Sequence, residues 1–252
     1  MLAKAVRHLS VGANQSGISN MSELTDDEVN GVWVVIPAFH ESSVIRAVVD
    51  DMQGMFQNVV VVDDGSTDET SQQASEGGAH VIRHPVNLGQ GAALQTGIDY
   101  ALARGAKYIA TFDADGQHQP EDVLEMLDLI RTQEVDVVLG SRFLGTVYGM
   151  PRGRRVLLRA AVWFTRLTTG LALTDAHNGL RLFTRNAAQT IHLSHNRMAH
   201  ASEIIEQIAS NQLKYAEVGI TVRYTEYSRS KGQKASNAIN IIVDLFFGRL
   251  RK

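Results

Sequence analysis

Tyr108-Ile109-Ala110-Thr111-Phe112-Asp113-Ala114-Asp115-Gly116-Gln117-His118-Gln119-Pro120 is an apolar run cut off by acids, a glycine and a helix-starting proline. Apolar runs this short, closed by Asp and Gly, suit a strand buried on both faces. The pattern recurs at residues 32–36, closed by Pro37, at 59–62, closed by Asp63-Asp64-Gly65, and at 79–82 and 135–139. Helical spacing fills the gaps at 42–55, 67–76, 90–103 and 120–132. Pro120 suits a first helical turn, with Glu121 and Asp122 at the positive end of the helix dipole, and Ser66 or Thr67 is expected to cap the second helix. Regular alternation of strand and helix predicts an α/β fold: a Rossmann-like, mostly parallel sheet with helices on both faces.

Beyond Ser141 the alternation weakens. Residues 145–153 read as a loop, 154–168 as a helix, 175–179 as a polar turn, 180–184 as a strand, 200–211 as a helix and 215–224 as a strand. Three segments are expected. Residues 1–30 form a flexible leader with a short helical turn near 22–28, 31–230 form the main domain, and 231–252 form a basic loop followed by an amphipathic helix. In that last helix Ile239, Ile242, Val243, Phe246 and Leu250 share one face, which suits a membrane interface or a docked helix.

Composition narrows the function. Of 252 residues 44% are hydrophobic, and 27 acids against 24 bases leave a net charge of −3, too apolar and too weakly charged for a disordered chain. The absence of Cys excludes disulfides, thiolate metal sites and a cysteine nucleophile. The near-neutral balance argues against general nucleic-acid binding. No apolar run approaches the ~20 residues of a membrane helix, and no secretory signal is expected, so a cytoplasmic chain is anticipated.

In a doubly wound sheet, ligands bind beyond the carboxyl ends of the strands. Three polar sets stand there: Pro37-Ala38-Phe39-His40-Glu41, Asp63-Asp64-Gly65-Ser66-Thr67-Asp68 and Asp113-Ala114-Asp115-Gly116-Gln117-His118-Gln119. Asp113 and Asp115 alternate along extended chain, so both carboxylates face one side, with Gln117 as a candidate third oxygen ligand. Hard oxygen donors suit Mg²⁺ or Mn²⁺, which keep waters and bind substrate phosphates. A lone Asp-x-Asp is also a common loop cap; its place after a buried strand, beside two further acidic strand ends, favours the metal. Asp63 is the candidate for a base N–H, although Asp-Asp-Gly-Ser-Thr-Asp also reads as a turn and helix cap, with Asp68 or Ser66 expected to serve the helix start. Asn87-Leu88-Gly89-Gln90-Gly91 is a turn that lets backbone approach a nucleotide, or simply a tight turn.

Together with Gly140-Ser141-Arg142-Phe143 and Asp175-Ala176-His177-Asn178-Gly179-Leu180-Arg181-Leu182-Phe183, these segments resemble the family 2 glycosyltransferases of GT-A fold, over roughly residues 31–230. Within that family the chain is most similar to the dolichyl-phosphate mannosyltransferase and polyprenyl-phosphate glycosyltransferase group. The resemblance implies that Pro37, Ala38, Phe39, Glu41, Asp63, Asp64, Gly89, Asp113 and Ala114 surround the nucleotide. It further implies that Asp113, Asp115 and Gln117 hold Mg²⁺ or Mn²⁺ against the donor diphosphate, and that Asp115 is catalytic. Arg142 would contact an acceptor phosphate, supported by Arg181. Lys231 and Lys234 fall where relatives carry a basic loop near the diphosphate, with altered spacing here.

The expected reaction is inverting sugar transfer from a nucleotide-diphosphate sugar to a polyprenyl phosphate at the cytoplasmic membrane face. A phosphate acceptor is already anionic and needs positioning cations more than a base. Arg152, Arg155, Arg159 and Arg166 lie along one helical face with no acid nearby, so Arg155 and Arg159 are expected to serve the acceptor phosphate or an anionic membrane; a solvated face is the plain alternative. Glu203 is an acceptor-side candidate. Of His177, His195 and His200, only His177 falls within a motif. The competing readings are transfer to a sugar hydroxyl, and a non-catalytic nucleotide-binding membrane adaptor; an oligomer is compatible with each.

Overall fold

A computed structural model describes residues 9–10, 24–150, 152–194 and 200–224. The expectations for the basic loop with Lys231 and Lys234, for the C-terminal helix and for His195 lie outside these residues. In chain order the elements are β1 (Leu9–Ser10), α1 (Asp26–Asn30), β2 (Val32–Ala38), α2 (Ile45–Gln53), β3 (Asn58–Asp63), α3 (Thr70–Glu76), β4 (His80–Arg83) and α4 (Gln90–Ala103). There follow β5 (Tyr108–Thr111), α5 (Pro120–Thr132), β6 (Val137–Tyr148), α6 (Arg152–Thr169), β7 (Arg181–Thr184), α7 (Arg185–Thr190), α8 (His200–Ser210) and β8 (Tyr215–Arg223).

The strands form one sheet in the order β1-β8-β6-β7-β5-β2-β3-β4. Every pairing is parallel except those of β7, which runs antiparallel to both β5 and β6. That single reversal matters for the site. A strand running backwards has its amino end where its neighbours have their carboxyl ends. The segment entering β7, Asp175 to Gly179, therefore reaches the same rim as the ends of β2, β3 and β5, beside the middle of β6.

Period-2 alternation sends each strand's side chains to two cores. Val34, Ile36, Val59, Val61, Ala110, Phe112 and Val138 pack with Ile45, Val49 and Met52 of α2 and Val123, Met126 and Leu127 of α5. Trp33, Val35, Val60, Val62, Ile109, Val137 and Leu139 pack on the other face with Leu94 and Ile98 of α4 and Ile204, Ile205 and Ile208 of α8. Gly97 permits the close approach of α4: a Cβ there would stand 2.3 Å from Val35 Cγ1.

Several expectations shift. β4 is the sheet edge and only partly buried, not covered on both faces. The predicted loop over 145–153 begins as strand: β6 continues to Tyr148 after an irregularity between Ser141 and Thr146, where it realigns on β8. Gly145 makes this possible, since a Cβ would meet the Ile220 carbonyl oxygen at 2.1 Å. Neither Ser66 nor Thr67 caps α3; Ser66 Oγ accepts from His40 N at 2.9 Å, and Asp68 Oδ1 takes the Thr70 N–H at 3.2 Å. Within the leader, Leu9–Ser10 pairs with β8, and α1 is closed by a capping box between Thr25 and Glu28.

Candidate active site

A cleft of about 470 Å³ opens along the rim where β2, β3 and β5 end and β7 begins. Much of its lining comes from the strand ends singled out in the sequence. Pro37, Ala38, Phe39 and Glu41 line it from β2, Asp64 from β3, Gly89 from the turn before α4, and Asp113, Ala114, Asp115 and Gln117 from β5. Phe39 is 40% exposed and stacks on His40, offering an aromatic face at the cleft mouth.

The two acids after β3 divide the work. Asp63 is fully buried and outside the cleft lining; its Oδ1 accepts from Ser66 N at 2.9 Å and its Oδ2 from the Ser71 hydroxyl, so it braces the turn. Asp64 lines the cleft and holds the next loop, accepting from Leu88 N at 2.9 Å, Gly89 N at 2.7 Å and pairing with His84 Nδ1 at 2.8 Å. Gly89 sits at φ +98, a conformation glycine adopts without strain.

Asp113 and Asp115 titrate in opposite directions. Burial raises the Asp113 carboxyl, but the hydrogen bond and charge of His118 and the charge of Arg181 outweigh it, leaving Asp113 below the usual carboxylate range. Burial, with the neighbouring Asp113 charge, pushes Asp115 up to about 6. Gln117 donates its backbone N–H to Asp115 Oδ1 at 3.1 Å and its side-chain amide to Oδ2 at 2.5 Å, so its N–H groups secure that carboxylate. Among the described residues no group of three or more His, Cys, Asp or Glu is set to hold a metal alone. Two carboxylates in a cleft suit a hard divalent cation whose remaining ligands are water and donor phosphate oxygens.

The cations of the cleft come from Arg142, midway along β6, and from Arg181, the first residue of β7. Arg142 is buried, its Nε and Nη2 donating to Asp175 Oδ2 and Oδ1 at 2.6 and 2.7 Å. Burial opposes the Arg142 charge, but Asp175 outweighs it and keeps the guanidinium protonated; the same pair lowers the Asp175 carboxyl against its own burial. Asp175 is itself fixed: Glu217 Oε1 accepts from Asp175 N at 3.1 Å and from Thr174 Oγ1 at 3.0 Å.

Arg181 opens β7 between Thr111 and Leu139 and is 2% exposed. Burial lowers its pKa to about 10 even with Asp113 and Asp175 nearby, and its Nη1 has no hydrogen-bond partner. His118 Nδ1, His177 Nδ1 and Asn178 Nδ2 are likewise buried without partners, and all three residues line the same cleft. Burial, with the cationic Arg142 and Arg181 adding to it and Asp175 opposing, drives the His177 imidazole down to about 4, so it is neutral at pH 7. Four such atoms in one cleft leave hydrogen bonds for water or a bound ligand to complete.

Two predicted residues stand elsewhere. Glu203 is buried but absent from the cleft lining, its Oε1 accepting from Ser194 N at 3.0 Å and Ser194 Oγ at 2.6 Å. Arg155 and Arg159 lie on α6, away from the main cleft; Arg159 lines a second, shallower one. His118, within the third polar set but given no role, and His200, set aside because it falls in no motif, both line the main cleft. His118 was legible as the residue after Gln117, whereas nothing near His200 in the chain signals its place.

The profile of glycosyl transferase family 2 matches residues 33–191, from β2 through the site to the end of α7. The chain belongs to glycosyltransferase family 2. This glycosyltransferase is 31% identical to a UDP-N-acetylglucosamine–dolichyl-phosphate N-acetylglucosaminyltransferase of Methanococcus voltae, over 88% of this chain and 97% of that protein. It is 31% identical to a polyprenol monophosphomannose synthase of Mycolicibacterium smegmatis, over 79% of each. Its GT-A fold is shared with glucosyl-3-phosphoglycerate synthase of Mycobacterium tuberculosis, solved with Mn²⁺, UDP-glucose and phosphoglyceric acid. That structure aligns at a TM-score of 0.61 and 21% identity, covering 82% of this chain and 79% of that one.

Proposed function

We propose that this glycosyltransferase moves a sugar, with inversion, from a nucleotide-diphosphate sugar to a polyprenyl phosphate at the inner face of the membrane, using Mg²⁺ or Mn²⁺. The observation carrying this reading is that one cleft holds both a carboxylate pair and two buried guanidiniums. Asp113 and Asp115 line it together with Arg142 and Arg181, and the Arg181 charge acts directly on Asp113. The carboxylates suit a cation, and the guanidiniums suit a second anion held close to it.

Asp113 and Asp115 would hold the metal, which would offset charge developing on the leaving diphosphate. Arg181, with an N–H group to spare, would hold an acceptor phosphate oxygen near the anomeric carbon, and Arg142, immobilised by Asp175, would fix the other side of that phosphate. The C–O bond to the diphosphate breaks as the phosphate oxygen forms its bond from the opposite face. No proton need leave the acceptor, because the phosphate is ionised near neutrality. The polyprenyl phosphates named for both relatives point the same way.

A neutral His177 supports a second reading, transfer to a sugar hydroxyl, since an imidazole with a free Nδ1 can accept the proton such an acceptor must lose. Assaying short-chain polyprenyl phosphate against saccharide acceptors, with Asp115→Ala as the inactive control, separates the two. Under the first reading His177→Ala slows transfer to phosphate less than tenfold. Incorporation only into hydroxyls, abolished by His177→Ala, would reject it.

A further inference from the structure

Helix α6 follows β6, the strand that carries Arg142, and it presents an unusual surface. Val156, Trp163 and Leu167 are 69%, 65% and 70% exposed. At 3.6 residues per turn they form one stripe with the exposed Ala160. Val162 and Thr165, on another side, are buried against the protein. Arg155, Arg159 and Arg166 make a second stripe between the apolar residues and the buried side. No Asp or Glu occurs from Val137 to Thr174, so no acid on the helix answers them. A second cleft of about 290 Å³, lined by Phe143, Arg159, Trp163 and Arg166 among others, runs beneath these stripes. The Arg159 guanidinium lies 5.8 Å from the Phe143 ring centre.

A second copy of this chain is a poor occupant for such a face. A two-fold interface would set one arginine stripe against the other. An anionic bilayer meets both stripes at once: phosphates neutralise the arginines, and the indole of a tryptophan favours the headgroup level. Among the described residues no helix is long and apolar enough to cross a membrane, so α6 would lie along the surface.

We propose that the exposed face of α6 seats in the surface of an anionic phospholipid bilayer, Val156, Trp163 and Leu167 entering the headgroup boundary and Arg155, Arg159 and Arg166 meeting lipid phosphates. This places Arg142 of the main cleft, one residue before Phe143, beside the lipid. The inference rests on the membrane location proposed above, not on the identity of the acceptor.

The chain has two tryptophans, and Trp33 is buried, so a lipid-induced change in emission reports Trp163. Full-length protein is titrated with vesicles of phosphatidylglycerol and phosphatidylcholine, without donor or acceptor. The emission is expected to shift blue and to be quenched by brominated acyl chains, and Trp163→Phe should remove both effects. Arg155→Gln with Arg159→Gln should weaken binding roughly thirtyfold, as should raised salt or pure phosphatidylcholine in the same direction. Emission unmoved by lipid overturns the proposal, and so does vesicle binding without quenching, which assigns contact to another segment. A blue shift that follows protein concentration alone makes a second copy the occupant and overturns it equally. Transfer to a short-chain polyprenyl phosphate in vesicle-free buffer tests the enzymatic reading separately, so either can fail alone.

Discussion

Gly179 lies flat against the carboxylate of Asp113: a Cβ on Gly179 would stand 2.2 Å from Asp113 Oδ2 and 2.4 Å from Oδ1. The residue that ends the turn before β7 is thus part of the wall that aims the first acid of Asp-Ala-Asp. Gly179→Ala must displace that carboxylate. A shift of about 1 Å at a reacting centre costs on the order of 10²-fold in rate, and kcat for transfer should fall by that much. Gly153→Ala, with nothing within 4 Å of the added methyl, is the matched control. It should retain full activity on a soluble acceptor and gain up to about 1 kcal/mol from helix propensity. Equal activity in the two variants would remove Gly179 from the site.

Metal dependence is expected to appear in binding as well as turnover. A nucleoside diphosphate should raise the melting temperature with Mn²⁺ present and do little after chelation, because only the folded state binds it. Asp115→Ala should abolish the shift while leaving the melting temperature of the free protein near that of the wild type. A diphosphate that stabilises the chelated protein just as strongly contradicts the assignment of Asp113 and Asp115.

The Arg142–Asp175 pair is buried and bidentate, so breaking it from one side leaves a cation without its counter-charge. Asp175→Asn should cost about 3–5 kcal/mol, read from urea unfolding. A loss below ~1 kcal/mol would mean that Arg142 finds solvent or another partner.

Arg181 should behave in the opposite way. It is a fully buried cation with an unpartnered N–H, an arrangement that costs stability; if it serves the acceptor as proposed, stability and activity should part. Arg181→Met is expected to unfold at the same or higher urea concentration while transfer falls at least ~100-fold. A strongly destabilised variant would show Arg181 to be structural.

Asp122 supplies a pH test away from the catalytic groups. It is buried at the start of α5, accepts from Thr221 N at 2.9 Å, and burial pushes its carboxyl up to about 7. Between the unfolded value of 3.8 and about 7 the folded state binds the extra proton. Stability from this group is therefore full at low pH and declines as pH rises through that window, by at most about 4 kcal/mol. Asp122→Asn keeps an acceptor for Thr221 and should flatten the decline. Parallel pH profiles for wild type and variant would refute the assignment.

The sequence by itself determined the parallel half of the sheet and its acidic rim. Each of the strands β2, β3 and β5 is a local apolar run ended by its own acids, and α4 and α5 begin and end where periodicity and Pro120 place them. Local signals of that kind need no knowledge of distant neighbours. The tertiary structure alone decided which of the two adjacent acids, Asp63 or Asp64, faces the cleft, because one residue's step reverses the side and loops 65–71 and 86–89 each claim one carboxylate. It alone set Gly179 against Asp113, some sixty residues apart, by running β7 backwards between β5 and β6. Burial did the rest: the free N–H of Arg181, the neutral His177 and the place of His200 depend on what water is excluded from, and exclusion of water belongs to the packed chain.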